Sequence, residues 1–351
     1  MGPSTPAARQ DDAVATLRRI AFLLERAQAT SYRSDAFRKA ARAVEAADPG
    51  ELARLVADDH VEELRDVGRR TAEVVLQRWR DEEVEYLTRL EREVAEAATA
   101  DGPGAALRSA LRGDLHAHTD ASDGGSPLQE MVLAAMEIGH EYLVITDHSP
   151  RLTVANGLSP ARLRRQIAQI RALNEAVAPF RVLTGIEVDI LDDGKLDQEP
   201  TLLAELDVVV GSVHSKLRMD SAAMTRRMVA AVENPHLDVL GHCTGRRLIG
   251  SRPRPPSDFD ADAVFAACAE AAVAVEINSR PDRRDPPHAL LQSAIDHGCL
   301  FSVDSDAHAP GQLDWQITGC ERAAQHDLDP ARVVNTRDVD GLLAWTGRER
   351  G

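Results

Sequence analysis

The chain has 351 residues, 43% hydrophobic and 28% charged, with a formal net charge of −16. That length allows two or three domains of about 100–200 residues each. No apolar run approaches the roughly 20 residues of a membrane span, and the acidic excess argues against non-specific nucleic-acid binding, although bound divalent cations would offset part of it.

The opening MGPSTPAARQDD has no apolar signal-peptide core, and Cys243, Cys268, Cys299 and Cys320 form no C-x-x-C pair. A reducing, cytoplasmic setting is therefore expected. Residues 11–97 read as helices. In DDAVATLRRIAFLLERA, Val14, Leu17, Ile20, Leu24 and Ala27 recur at helical spacing. SDAFRKAARAVEAA opens on a Ser34/Asp35 capping signal and stops before Asp48-Pro49-Gly50. ELARLVADD, VEELRDVGRRTAEVVLQRWR and EVEYLTRLEREVAEAA continue the pattern. ATADGPGAA then breaks it and predicts a linker over 98–112.

From residue 113 the texture changes. Short β-branched runs (GDLHAH, EYLVITDH, RVLTGIEVDI, DVVVGSVHS, DVLGHC, VAVEIN, LFSVDSDAH) alternate with amphipathic segments such as SPARLRRQIAQIRALNEAV. Such alternation predicts βα units and a mostly parallel sheet. Seven strands without a dinucleotide glycine fingerprint favour an α/β barrel over 113–345, beside a separate all-α domain.

The strand ends carry the chemistry. The first ends in His116 and His118, the second in Asp147-His148, and the third in Glu187 and Asp189. The fourth ends in His214, the fifth in His242, and the seventh in Asp304, Asp306 and His308. In a β/α barrel all strand C-termini gather on one face, and residues two apart on a strand point the same way. One histidine at a strand end is an ordinary core residue; six with several carboxylates form a site. Mixed imidazole and carboxylate donors suit Zn, Mn or Fe, and their number suits two or three divalent ions. His60, His140, His236, His288, His297 and His326 fall elsewhere and are read as structural or solvated.

DLHAHTDASDG, YLVITDHS, GIEVDI, GSVHS, GHCTGR, EINSRPDRRD and DSDAHAPGQLD resemble, in order, the PHP (polymerase and histidinol phosphatase) superfamily of metal-dependent phosphoesterases. They are most similar to the C-terminal PHP domain of bacterial family X DNA polymerases. The resemblance implies a distorted (β/α)7 PHP barrel. It also implies metal ligands His116, His118, Asp123, His148, Glu187, His214, His242, Asp306 and His308, with Glu187 bridging two ions and Asp306 pairing with His116 and His118. Cys243 stands where those polymerases usually have proline and reads as a small apolar replacement. FLLERAQATSYRSDAFRKAARAVEAAD and VEELRDVGRRTAEVVLQRW resemble the small helix-hairpin-helix domain of the same polymerases. Asp66 stands in place of the hairpin's first glycine, leaving Gly68. Arg70 and Val74 stand where lyase-active relatives carry lysines, so no deoxyribose-phosphate lyase activity is expected. No room remains between 97 and 112 for palm and fingers, so no nucleotide polymerisation is expected either.

The implied reaction is phosphoester hydrolysis by a metal-bridging hydroxide, with Glu187, Asp306 and Arg246 as the catalytic candidates. Arg246, Lys216 and Asn278 are candidate substrate contacts, an arginine fork suiting phosphate oxygens. Arg252, Arg254, Arg283 and Arg284 read as solvated loop charges, and Asp147 and Asp304 as partners of the site histidines. Arg33, Arg38, Lys39 and Arg42 could touch phosphates, diluted by Asp58, Asp59, Glu62 and Glu63. Three readings follow: a DNA 3′-5′ exonuclease or 3′-end phosphatase in repair, a small-molecule phosphomonoesterase of the histidinol-phosphatase type, and a non-enzymatic scaffold stabilised by metal. The oligomeric state is left open.

Overall fold

The computed structural model describes residues 5–97, 102–249 and 253–347. They fall into two compact units that divide between residues 100 and 101.

The first unit is helical: α1 (Pro6–Arg26), α2 (Ser31–Ala46), α3 (Pro49–Ala57), a 3-10 turn (Val61–Glu63), α4 (Arg69–Trp79) and α5 (Glu85–Ala97). Its core is the apolar stripe of α1, including Leu17, Ile20 and Leu24, closed by Phe37, Val44, Leu52 and Val75. Two expectations shift. α2 begins three residues before the Ser34/Asp35 signal, and the Ser34 hydroxyl donates to the Ser31 carbonyl at 3.0 Å instead of capping. VEELRDVGRRTAEVVLQRWR is not one helix: it breaks between the turn and α4, with Asp66 in the left-handed region at φ 66°. Aspartate tolerates that conformation better than most residues, so the turn survives without its glycine. Gly68 caps α4, its N–H donating to the Thr71 hydroxyl at 3.0 Å.

The second unit alternates strands and helices: α6 (Ala105–Ala110), β1 (Gly113–Ala117), α7 (Leu128–Glu137), β2 (Tyr142–Ile145), α8 (Pro160–Val177), β3 (Arg181–Asp189), α9 (Pro200–Leu203) and β4 (Val208–Ser212). Then follow α10 (Ser221–Val232), β5 (Val239–Leu240), α11 (Ala261–Ala271), β6 (Ala274–Asn278), α12 (His288–Asp296), β7 (Phe301–Asp304), α13 (Gln316–Ala324) and α14 (Val339–Thr346). α6 falls in the stretch expected to be linker; residues 98–101 of that stretch lie outside the described residues.

All six strand pairings are parallel, in the order β1 to β7. A bridge between Ala117 and Ala307, with the His118 N–H donating to the Ala307 carbonyl at 2.8 Å, brings β7 back to β1. The result is a nearly closed α/β barrel.

Alternation along the strands sorts side chains by face. On β3, Ile186 and Val188 pack outward with β6 residues Val275 and Ile277 and with α11 residues Val264 and Phe265. Leu183 takes the other face with Val208, Val210, Val239 and Ala274, a floor closed by Leu342 and Trp345 of α14. Two and four residues after Leu183, that inward face carries Gly185 and Glu187. A Cβ on Gly185 would meet Val144 Cγ1 at 2.7 Å and the Val208 oxygen at 2.9 Å. The glycine lets neighbouring strands close beneath the glutamate.

Candidate metal centre

The polar mouth above that floor is built from strand ends. β1 loses register with β2 between Asp114 and Ala117, a local irregularity at His116. His116 and His118 are both fully buried. His116 Nε2 lies 3.4 Å from Glu187 Oε2, and His118 Nε2 lies 3.4 Å from Asp306 Oδ1. His148 bridges main chain to main chain with Glu187 just beyond β2, which sets its Nδ1 2.8 Å from Glu187 Oε2. From the opposite side His214 Nε2 and His242 Nε2 approach Glu187 Oε1 at 3.2 and 2.9 Å. Asp123, in the loop after β1, takes His148 Nε2 and His308 Nε2, each at 3.4 Å from its Oδ1.

All nine sequence-derived candidates therefore meet at one mouth. Their donor atoms form four overlapping groups, each within 4.8 Å: His118/Asp123/His148/His308, His116/Glu187/His242, His116/His118/Asp306 and His148/Glu187/His214. Glu187 belongs to two of them and His116, His118 and His148 to two each. Cys243, although buried beside His242, belongs to none of these groups.

The donor set fits cations on its own chemistry. His116 Nε2, both ring nitrogens of His118 and His214, and both Glu187 oxygens are buried without a hydrogen bond. Each such atom costs about 1–3 kcal/mol unless something satisfies it. Neighbouring rings stand 4.3 Å apart (His118 and His308) and 4.4 Å apart (His118 and His148). Burial, with His308 and His148 alongside, pushes His118 down to about 3. Burial would lower His148 too, but Glu187 and Asp123 outweigh it and lift that ring to about 10. Burial alone would raise Glu187, yet His214, His116 and His148 hold it well below the usual carboxylate range. A ligating nitrogen has to shed its proton, so cation uptake at such a cluster releases protons.

Asp306 reaches the mouth through a left-handed turn, φ 51°, directly after β7. Non-glycine residues hold that conformation at a cost of about 1–3 kcal/mol, typically where a site needs it.

Other expected residues fall differently. Asp147 and Asp304 are not partners of the imidazoles. Asp147 accepts from the Thr119 N–H (2.8 Å) and hydroxyl (2.6 Å), from Ser122 and from Gln166, and so holds the loop that carries Asp123. Asp304 accepts from the Leu115 N–H at 3.0 Å and from Asn335 Nδ2 at 3.2 Å. The imidazole partner is instead Glu276 of β6, whose Oε1 lies 2.6 Å from His116 Nδ1. It lies within the apolar strand run VAVEIN, where nothing in the alternation sets it apart from its neighbours. Asn278 is fully buried and donates to Glu276 and Asp306 at 3.2 and 3.1 Å. Lys216 is mostly exposed and paired with Asp192.

The guanidinium of Arg246 is committed to the Arg283 carbonyl at 2.9 Å and to that of Arg284. The arginines turned toward the mouth are Arg280 and Arg283. Arg280 Nη1 lies 3.0 Å from His308 Nδ1 and 3.7 Å from Asp306 Oδ1, and Arg283 Nε lies 3.2 Å from Asp306 Oδ2. Arg283 Nη1 is buried without a hydrogen bond. Arg254 donates to the Gly245 carbonyl at 2.6 Å, and Arg252 lies outside the described residues.

Residues 114–280 match the PHP domain. The chain is 37% identical over 238 residues to the DNA polymerase/3′-5′ exonuclease PolX of Bacillus subtilis, covering 68% of this chain and 41% of the relative. It thus spans about two fifths of that relative's length. A probable phosphatase of Edwardsiella ictaluri is 29% identical over 248 residues, covering 67% of this chain and 95% of the relative. The solved histidinol phosphate phosphatase of Lactococcus lactis subsp. lactis, complexed with zinc, L-histidinol and phosphate, is 19% identical with a TM-score of 0.44, covering 62% of this chain and 94% of that one. Residues 114–280 thus carry a PHP domain, and the buried imidazoles and carboxylates gather at the mouth of the barrel that contains it.

Proposed function

We propose that the chain hydrolyses phosphoesters at the 3′ end of DNA, as a 3′-5′ exonuclease or 3′-end phosphatase. The observation that carries the chemistry is the convergence of nine donor side chains, six of which (His116, His118, His148, Glu187, His214 and His242) hold buried atoms without a hydrogen bond. His116, His118, Asp123, His148, Glu187, His214, His242, Asp306 and His308 would hold two or three divalent cations, with manganese, zinc and iron the candidates. Such ions supply Lewis acidity toward phosphoryl oxygens and acidify water. The protein's own part is orientation: Glu187 and Asp306 fix the spacing, Asn278 and Glu276 fix the rotamers, and Arg280 and Arg283 offer forks to a phosphoryl oxygen.

DNA is favoured by the PolX relative and by the helical unit, read here as a helix-hairpin-helix tether over residues 11–97 joined to a PHP barrel over 113–345. In that unit Arg70 and Arg89 lie over the Tyr86 ring at 5.6 and 5.1 Å, and Arg33 Nη2 donates to its hydroxyl at 2.8 Å. That cluster brings three guanidinium groups around one ring, although Arg70 also pairs with Glu73 at 3.1 Å and Arg89 with Glu93 at 3.6 Å. Arg38 is not part of it: its side chain is buried against Glu25. The second reading, a small-molecule phosphomonoesterase, is favoured by the net charge of −16. The test is turnover with Mn²⁺, then with chelator, on 3′-labelled single-stranded DNA, a 3′-phosphorylated oligonucleotide and histidinol phosphate. Nucleotide or phosphate release from the DNA ends is expected. Turnover of histidinol phosphate alone replaces this reading with the second, and inactivity with every metal leaves only a scaffold.

A further inference from the structure

Glu276 sits mid-strand in β6 and is fully buried. It is not among the nine proposed ligands, yet it touches two of them, His116 and His242, and through Asn278 it is linked to a third, Asp306. Its Oε1 lies 2.6 Å from His116 Nδ1. Its Oε2 accepts from the main-chain N–H of His242 and, at 3.2 Å, from Asn278 Nδ2. The same Asn278 nitrogen donates to Asp306 Oδ2 at 3.1 Å. We infer that Glu276 is a positioning residue that sets the His116 side of the cation site, an inference that rests on the metal-dependent reading above.

The reasoning is a count of donors and acceptors. A neutral imidazole has one N–H and one lone pair. A carboxylate oxygen against Nδ1 holds the N–H there and leaves the lone pair on Nε2. His116 Nε2 is the buried atom without a hydrogen bond, and it faces Glu187 Oε2 at 3.4 Å and Asp306 Oδ1 at 4.0 Å. Two donor groups share it, His116/Glu187/His242 and His116/His118/Asp306. The remaining two groups do not include His116.

Glutamine has almost the same size as glutamate, but it cannot serve all these donors. With its NH2 toward His242 and Asn278, it meets two N–H groups. With its NH2 toward His116, it donates to Nδ1, and the ring proton moves to Nε2, where it blocks the lone pair. Either orientation damages the His116 side and spares the His148 side. Aspartate keeps both acceptors but falls one methylene short.

The experiment uses the full chain and Zn²⁺. Calorimetric titration with metal content after dialysis reads the ions, and long-range ¹H–¹⁵N correlation of the zinc-loaded protein reads the ring. Wild type is expected to coordinate through His116 Nε2 with Nδ1–H retained. E276Q is expected to weaken a subset of the ions by about 10- to 100-fold, with the others unchanged, and E276D to fall between. Coordination through His116 Nδ1 in wild type overturns the inference even if E276Q fails to fold. So does E276Q with wild-type affinity for every ion, or with all ions weakened alike. Absence of Zn²⁺ uptake by wild type sinks the metal reading itself, a different result from uptake that ignores residue 276.

Discussion

The two units bury charge in opposite ways. In the helical unit Arg38 and Glu25 are almost fully enclosed, and they satisfy each other through two hydrogen bonds of 2.6 Å each. In the barrel the buried imidazoles and Glu187 lie within a few ångströms of one another, yet many of their atoms have no hydrogen bond. A closed polar pair holds architecture together. An open cluster in which many donor atoms have no hydrogen bond marks a candidate place for cations.

The largest effect that tests this contrast is loss of the open cluster. H116A or D306A should leave less than about a thousandth of wild-type hydrolysis, the scale of removing a strong electrostatic contributor to a transition state. Chelation should do the same reversibly. Substantial turnover in either variant, assayed on a chromogenic phosphate, would show that the mouth is not the reactive centre.

Next is the closed pair. R38M removes the Arg38 partner of Glu25, and breaking one partner of a buried pair costs about 3–5 kcal/mol. A urea titration should show that loss in the helical unit, with hydrolysis of the small chromogenic phosphate near wild type. A parallel fall in both would mean that the two units do not behave separately.

A smaller effect is expected from the arginines around Tyr86. The triple variant R33A/R70A/R89A should cut single-strand DNA at least several-fold more slowly at low salt, because each phosphate contact adds to a salt-dependent affinity. Turnover of the chromogenic substrate should not change. Equal DNA cleavage by variant and wild type would remove the tether.

The smallest concerns His140, buried away from the mouth, where burial and Arg108 hold the imidazole down to about 3. Its folded value lies below the unfolded one of about 6.5, so its contribution is complete above pH 6.5 and drains away as pH falls toward 3. Between pH 7 and 5 wild type should lose about 1–2 kcal/mol more than H140Q in urea midpoints. Identical acid sensitivity of the two proteins would contradict it.

How much of this was legible beforehand differs by kind of residue. Runs such as RVLTGIEVDI announce strands because β-branched residues alternate, and parallel strands deliver their ends to one face. That is why Glu187, His214 and His242 could be named without coordinates. Asp147 and Asp304 stand at the same strand ends and look alike in sequence. Yet one holds a loop through Thr119, Ser122 and Gln166, and the other accepts from Leu115 and Asn335. Arg246 and Arg283 pose the same difficulty, since a loop arginine can reach inward or clasp its neighbour's carbonyls, as Arg246 does.

The sequence by itself determined the alternation of strands and helices, the apolar stripe of α1 and the set of donor residues at the strand ends. These depend on local periodicity and on residue chemistry, which a linear string carries. Only the tertiary structure decided which carboxylate meets which imidazole, and that a strand glutamate, Glu276, holds His116. Those pairings depend on register across the barrel and on burial, and both come into being only when distant strands close on one another.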